Sequence, residues 1–458
     1  MKRIALFFLL LATGTASALG PHEIALVVNG ASPDSVRVGE AYARLRQVPS
    51  RNVVRIRLPG GTYRENVRMS RQDFGKTIWD PVNRLIRERG IEPQILAWVY
   101  SIDFPTTINS TPRLSLQGIT FLRNADAPDN ETIKHGRYIS TLYAGGDLLG
   151  SSYSPQTLDR QREWLGDEMP LPSMMLGFAG KRGNTVEAIL AALERGVRSD
   201  GMSPRGTVYF VKSKGIRSRC REWQFPPAQQ ELKILGVSAE VLTEFPAGRK
   251  DVLGLMMGQA VVKGIEKNHY LPGCMAEHLT SSAGNFRVKS QTKLTEWIGA
   301  GATTSAGTVV EPYAFWTKFP SARYFVHYAA GCTVIESYFQ SIRSPLEILL
   351  VGDPLACPWA PRGRVVMHGL EGSVLHRLCR IRADVQSDTN GGIERYTYLI
   401  DGQEVSRGRF LDLDPAKLAP GKHALRVVAY RSGLVRNQLF AETMIEVPAS
   451  DGRGEKNE

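Results

Sequence analysis

The densest run of reactive side chains in this 458-residue sequence is Glu277-His278-Leu279-Thr280-Ser281-Ser282, which holds an acid, an imidazole and several hydroxyls. Such a set is the material of acyl transfer. A serine hydroxyl is a weak nucleophile until an imidazole takes its proton, and the imidazole in turn needs a carboxylate to orient it. The hydrolytic reading takes Ser281 or Ser282 as nucleophile, His278 as base, and Glu277 or Glu311 as the orienting acid. Glu311 follows Gly307-Thr308-Val309-Val310 and precedes Pro312, which places it just beyond a strand end. The same residues also fit a structural role, as hydrogen-bonded groups at a strand terminus and, for Glu311, a locally bonded loop carboxylate. Alternation along a strand puts Glu277 with Ser281 on one face and His278 with Ser282 on the other. His278 therefore meets Ser281 only if the chain turns at Thr280. No G-x-S-x-G elbow is present.

Other chemistry is sparser. The five cysteines, Cys220, Cys274, Cys332, Cys357 and Cys379, show no zinc spacing, and an odd number leaves at least one thiol free. Cys274 sits in the apolar part of its strand, where an inert buried thiol is expected. Asp353, between Gly352 and Pro354, reads as an Asx-type turn, and His269 as a surface-loop residue. The loop Asn29-Gly30-Ala31-Ser32-Pro33 lacks both the G-x-G-x-x-G pattern and a P-loop lysine. In Asn124 to Asn130, Pro128 interrupts the alternating oxygens that a calcium loop needs. No cofactor and no metal are expected. The run Lys212, Lys214, Arg217, Arg219, Arg221 is the one local concentration of charge. Without interleaved aromatics it reads as a solvated loop and not as a specific nucleic-acid site.

The elements that would carry these groups alternate. Apolar runs at Ile24–Val28, Val53–Leu58 and Ile95–Val99 are separated by helical spacing at Val38, Ala41, Tyr42 and Leu45, with Asp34 as the expected cap, and by a helix around Ile78 to Arg89. After the Gly/Ser/Pro-rich stretch Gly145–Pro155 the alternation resumes. Strand-like runs lie at Met174–Phe178, Thr207–Val211, Val252–Met257, Cys274–Leu279, Thr303–Val309 and Glu347–Val351. A helix carrying Val186, Ile189, Leu190 and Leu193 is expected to start at Asn184 and close at Gly196. The fold class is α/β, in two parallel-sheet blocks over 23–160 and 170–360. Beyond Pro361 short alternating runs separated by turns predict a small all-β Ig-like sandwich over 365–448, followed by a polar tail over 449–458.

Particular motifs carry a resemblance. The opening Ile24-Ala25-Leu26-Val27-Val28-Asn29-Gly30-Ala31-Ser32-Pro33-Asp34-Ser35 is similar to an uncharacterised family of exported bacterial proteins. So are Val48-Pro49-Ser50-Arg51-Asn52-Val53-Val54, Ala276–Ser281, Gly301–Pro312 and Leu350-Val351-Gly352-Asp353-Pro354-Leu355. More distantly, two α/β blocks closed by Gly-Asp-Pro-Leu and followed by an Ig-like sandwich resemble gingipain-type cysteine peptidases of the caspase-like fold. That resemblance implies a His-Gly at one strand end and an Ala-Cys at the next. The corresponding stretches here, Leu255-Met256-Met257-Gly258-Gln259 and Leu279-Thr280-Ser281-Ser282-Ala283-Gly284, contain neither the histidine nor the cysteine.

Composition sets the remaining bounds. With 42% hydrophobic and 22% charged residues the chain is neither disordered nor fibrous. Lys2 and Arg3, the apolar run Ile4–Ala12 and Ala16-Ser17-Ala18 predict a signal peptide over 1–18, cleaved after Ala18. An exported chain, periplasmic or extracellular and with no membrane span after cleavage, is expected. The formal charge of +12 becomes about +10 once Lys2 and Arg3 are removed. Three functional readings follow: an exported gingipain-like-fold protein without the Cys-His dyad, with a binding or envelope-associated role and an unknown protein or peptide as partner; a serine hydrolase or peptidase using Ser281 or Ser282 with His278; or a cell-surface binding module acting through the Ig-like domain.

Overall fold

The computed structural model describes residues 17–65, 67–145, 154–387 and 391–449. All of the leader before Ser17, most of the stretch from Gly145 to Pro155, and the polar tail beyond Ala449 lie outside the described residues. The chain divides into two compact units, Ser17–Ala360 together with Gly433–Asn437, and Pro361–Ser432 together with the chain from Gln438.

The larger unit is built on one ten-stranded sheet. Its strands are β1 (Ile24–Asn29), β2 (Val53–Ile56), β3 (Ala97–Tyr100), β4 (Ser173–Met175), β5 (Thr207–Val211), β6 (Ser238–Leu242), β7 (Val252–Gly258), β8 (Tyr270–Leu279), β9 (Thr304–Thr308) and β10 (Ile348–Gly352), in the order β2-β1-β3-β4-β10-β9-β8-β7-β5-β6. The two α/β blocks expected from the sequence thus share a single sheet, three strands from the first and seven from the second, and β10 closes it between β4 and β9. Strands β2, β1, β3 and β4 pair in parallel, as do β9, β8, β7, β5 and β6. The β9–β10 pair is antiparallel, with Thr304 opposite Gly352 and Thr308 opposite Ile348. A wholly apolar strand such as Ile348–Gly352 reads the same in either direction, so burial pattern alone gives no sign of this reversal.

Helix boundaries also differ from the expected ones, for local reasons. In α1 (Pro33–Arg46) the cap is Ser32, whose Oγ accepts from the Ser35 amide at 3.1 Å. Pro33 has no N–H to satisfy and takes the first helical position, which leaves Asp34 inside the first turn. In α2 (Val186–Ser199) the cap is Thr185, whose Oγ1 accepts from the Ala188 amide at 3.1 Å, while the Asn184 side-chain Nδ2 donates to the Thr295 carbonyl at 2.9 Å. Gly196 does not end α2. A Cβ there would lie 2.2 Å from Asp353 Oδ2, so the glycine is required by close approach rather than as a stop.

That approach packs a buried ionic cluster. Asp353 accepts from Tyr42 Oη at 3.0 Å, from Arg46 Nε at 3.0 Å and from the Leu355 amide at 3.1 Å, so the expected Asx turn is one part of a larger arrangement. Arg46 also binds Asp200, which accepts from the Cys357 amide at 2.8 Å. Burial pushes the Asp200 carboxyl up to about 6, with Arg46 working against that shift.

The smaller unit carries two antiparallel sheets, of three and four strands. The first pairs Gly363–His368 with Cys379–Ser387 and that strand with Phe410–Leu413. The second is built from Ile393–Ile400, Gln403–Arg407, Gly421–Arg431 and Gln438–Val447. No helix among the described residues is long and apolar enough to cross a membrane.

Substituting Arg46→Met would strand two buried carboxylates. Urea unfolding should show a loss of about 3–5 kcal/mol. A loss below about 1 kcal/mol, the range of an exposed pair, would contradict the buried-cluster assignment.

Candidate functional site

β8 delivers Glu277 and His278 to opposite faces, and both faces are closed. Glu277 is buried against Arg221, with Nη1 to Oε1 at 2.5 Å. Arg221 also donates to the Pro320 carbonyl at 3.2 Å and to the Met257 carbonyl. Burial raises the Glu277 carboxyl to about 7, and Arg221 opposes the shift. The last member of the basic run is therefore a core residue and not part of a solvated loop.

On the other face His278 is wholly buried. The Trp297 indole N–H, on α3 (Leu294–Ala300), donates to its Nδ1 at 2.9 Å. Nδ1 is then an acceptor, so Nε2 carries the hydrogen and donates to the Thr292 carbonyl at 3.2 Å. Burial lowers this imidazole to about 3, helped by Arg221 and Lys293. Both ring nitrogens are occupied, and neither is left for the hydroxyl of Ser281 or Ser282.

The two serines lie in the turn that leaves β8. Thr308 Oγ1 donates to the carbonyls of Thr280 and Ser281, at 3.1 and 3.2 Å, and the Gly284 amide donates to Thr308 O at 3.0 Å. The buried Lys293 ammonium donates to the Ser282 carbonyl at 2.7 Å, and burial together with Arg182 lowers Lys293 to about 8. Glu311 is exposed and accepts from the Tyr313 amide at 2.9 Å, a local bond within its own loop. The five candidate residues thus occupy one rim of the sheet without forming a relay.

The remaining candidates resolve in the same way. All five cysteines are free thiols, and burial pushes the Cys274 thiol well above its ordinary range. Asn29 uses its side chain on Gly61, Asp103, Ala31 and Leu58. Asp126 pairs with Arg71, and Asp129 caps the short helix Asn130–Lys134. No group of three or more His, Cys, Asp or Glu side chains among the described residues is placed to hold a metal.

A concavity does lie at this rim, built by residues outside the motifs named above. A cleft of about 680 Å³ is lined by Arg64, Lys181, Arg182, Phe286, Arg287 and Lys289, among others. Three loops converge on it: one after β2, one after β4 and one after β8. Phe178 and Phe286 stack at 3.7 Å, and the Arg182 guanidinium donates to the Phe286 carbonyl, which ties the second loop to the third. A Cβ on Gly180 would lie 2.3 Å from the Arg64 carbonyl, which shows how closely the first and second loops approach. The sequence signal is faint: Lys181-Arg182 between two glycines, and Arg287-Val288-Lys289, each beyond a strand end.

No protein-family model matches the chain, and no match was found among curated proteins. Among solved structures, the fibronectin(III)-like modules of Clostridium thermocellum CbhA match 26% of this chain at 21% identity, with a TM-score of 0.18. The match spans 60% of that structure's own chain.

The buried imidazoles make a pH prediction. A free imidazole titrates near 6.5, whereas His278 and His327 are held down to about 3 in the fold. Their contribution is complete above about pH 6.5 and is lost as pH falls toward 3. Glu277 and Glu336, raised to about 7, act in the opposite direction. The test is therefore a difference between variants. The stability advantage of the wild type over His278→Gln, read from urea midpoints, should shrink between pH 6.5 and 4; a constant difference would refute the neutral, buried assignment.

Proposed function

We propose that this chain is an exported ligand-binding protein on a scaffold like the caspase-like fold of gingipain-type peptidases, with an Ig-like C-terminal unit and without a catalytic dyad. The observation that carries the reading is the occupation of both His278 nitrogens by Trp297 and Thr292. An imidazole lowered to about 3 and spent on two core partners has no lone pair with which to take a serine proton at neutral pH. Glu277, paired to Arg221 on the opposite face, orients nothing. Cys274, the thiol in the same strand, is buried and protonated.

Binding is supported by the position and make-up of the rim. Loops that leave strand ends are where ligands collect in open α/β sheets. Here they enclose a cleft of about 680 Å³ with an aromatic stack and cationic walls. An exported protein would meet its ligand, a peptide or another small anion-bearing molecule, outside the cytoplasm.

Treatment of the full chain with a fluorophosphonate serine probe should give no labelling beyond that of the Ser281→Ala and Ser282→Ala variants. Labelling that either substitution abolishes would replace this reading with the serine hydrolase.

A further inference from the structure

The cleft at the sheet rim has a sign. Five cationic side chains line it, Arg64, Lys181, Arg182, Arg287 and Lys289, against the single carboxylate of Glu65. Arg64 is held by others. Its Nε and Nη2 donate to the Asp103 carboxylate at 2.7 and 2.8 Å, and Nη2 also reaches Asp34 at 2.6 Å. Asp103 is itself fixed: it is buried, adopts a φ of 63° and accepts from Ser32 Oγ at 2.5 Å. Arg64 thus lines the cleft with a guanidinium fixed through Nε and Nη2. Lys181, Arg182, Arg287 and Lys289 have no ion-pair partner among the described residues, and Arg182 is immobilised by its bond to the Phe286 carbonyl. Nearby, burial first and then Arg287 and Arg113 disfavour the charge of Arg68.

Asp103 and Asp34 offset the charge of Arg64, but the like charges of Lys181, Arg182, Arg287 and Lys289 repel each other across two loops with only Glu65 among them in the cleft wall. An anion would offset that repulsion. Its geometry follows from the placement of the donors. A planar carboxylate is matched by one guanidinium fork lying in its plane. Donors carried on the three separate loops after β2, β4 and β8 line the cleft, and the oxygens of a tetrahedral group can take a donor from each. We infer that this cleft binds a ligand through a tetrahedral oxyanion, a phosphate or sulfate ester, with Arg64 and Arg182 as the positioned donors and Lys181, Arg287 and Lys289 as the mobile charges. This rests on the reading of the chain as a binding protein and deepens it by naming the ligand chemistry.

Titration calorimetry on the full chain, with inorganic pyrophosphate, a sulfated disaccharide and citrate as probes, tests it. Binding of pyrophosphate or of the sulfated sugar, with citrate at least about tenfold weaker, is expected, and the tighter of the two identifies the ester. Lys181 and Arg287 are exposed, so Lys181→Glu with Arg287→Glu should leave the melting temperature in place. The same double variant should weaken that binding about a hundredfold or more, and added salt should weaken it in the wild type. Citrate binding as tightly as either pyrophosphate or the sulfated sugar, no binding of either of those two probes, or binding indifferent to the double variant would each overturn the inference. The two claims fail separately. Serine labelling with that binding intact removes the binding-protein reading alone, whereas no labelling and no binding of pyrophosphate or the sulfated sugar removes this inference alone.

Discussion

A strand buried on both faces leaves no water for its polar side chains, and that constraint decides what the chemically richest strand of this protein is for. Every polar atom there must find a partner inside the fold or cost several kcal/mol. Glu277 finds Arg221, and His278 finds Trp297 and Thr292. Once those bonds exist, residues that look reactive in sequence are committed to holding β8 between its neighbours. Arg221, in turn, fastens its loop to the Met257 and Pro320 carbonyls. The chemistry of the stretch is real, but it is directed inward.

The same constraint explains what was legible. Apolar runs such as Ile24–Val28, Thr207–Val211 and Val252–Met257 mark strands because nothing else tolerates complete burial over such short lengths. The α/β class and the change of grammar beyond Pro361 follow from that pattern. Strand direction and sheet membership do not. Ile348–Val351 carries no mark of its antiparallel pairing with β9, and nothing in Ser173–Met175 says that it lies beside a strand from the far end of the chain. Caps shifted by one or two residues for equally local reasons, Pro33 taking the first position of α1 and Thr185 accepting from the Ala188 amide in α2.

The site was less legible than the fold. Alternation correctly separates Glu277 from His278, yet it is silent about Trp297, nineteen residues further on. The cleft is harder still. Its charges come singly or in pairs from loops around Arg64, Lys181 and Arg287, and they form a patch only because three strand ends converge. A contiguous basic run draws attention along the chain, but in space one of its members, Arg221, is buried in an ion pair. Clustering of charge is a property of topology, and a linear search is blind to it.

The placement of β10 bears on how the molecule is made. Val351 pairs with Met175 on one side, while Leu350 and Val351 face Ala306 and Ser305 on the other. Until the chain has been extended past position 352, β4 and β9 each present a strand edge with unpaired backbone N–H and C=O groups. Such edges recruit other chains. Closure of the sheet is thus a late event of high sequence separation, and so a slow one. A nascent chain stopped before β10 would hold nearly all of the larger unit's main core cluster and still lack the strand that turns two open edges into a continuous sheet.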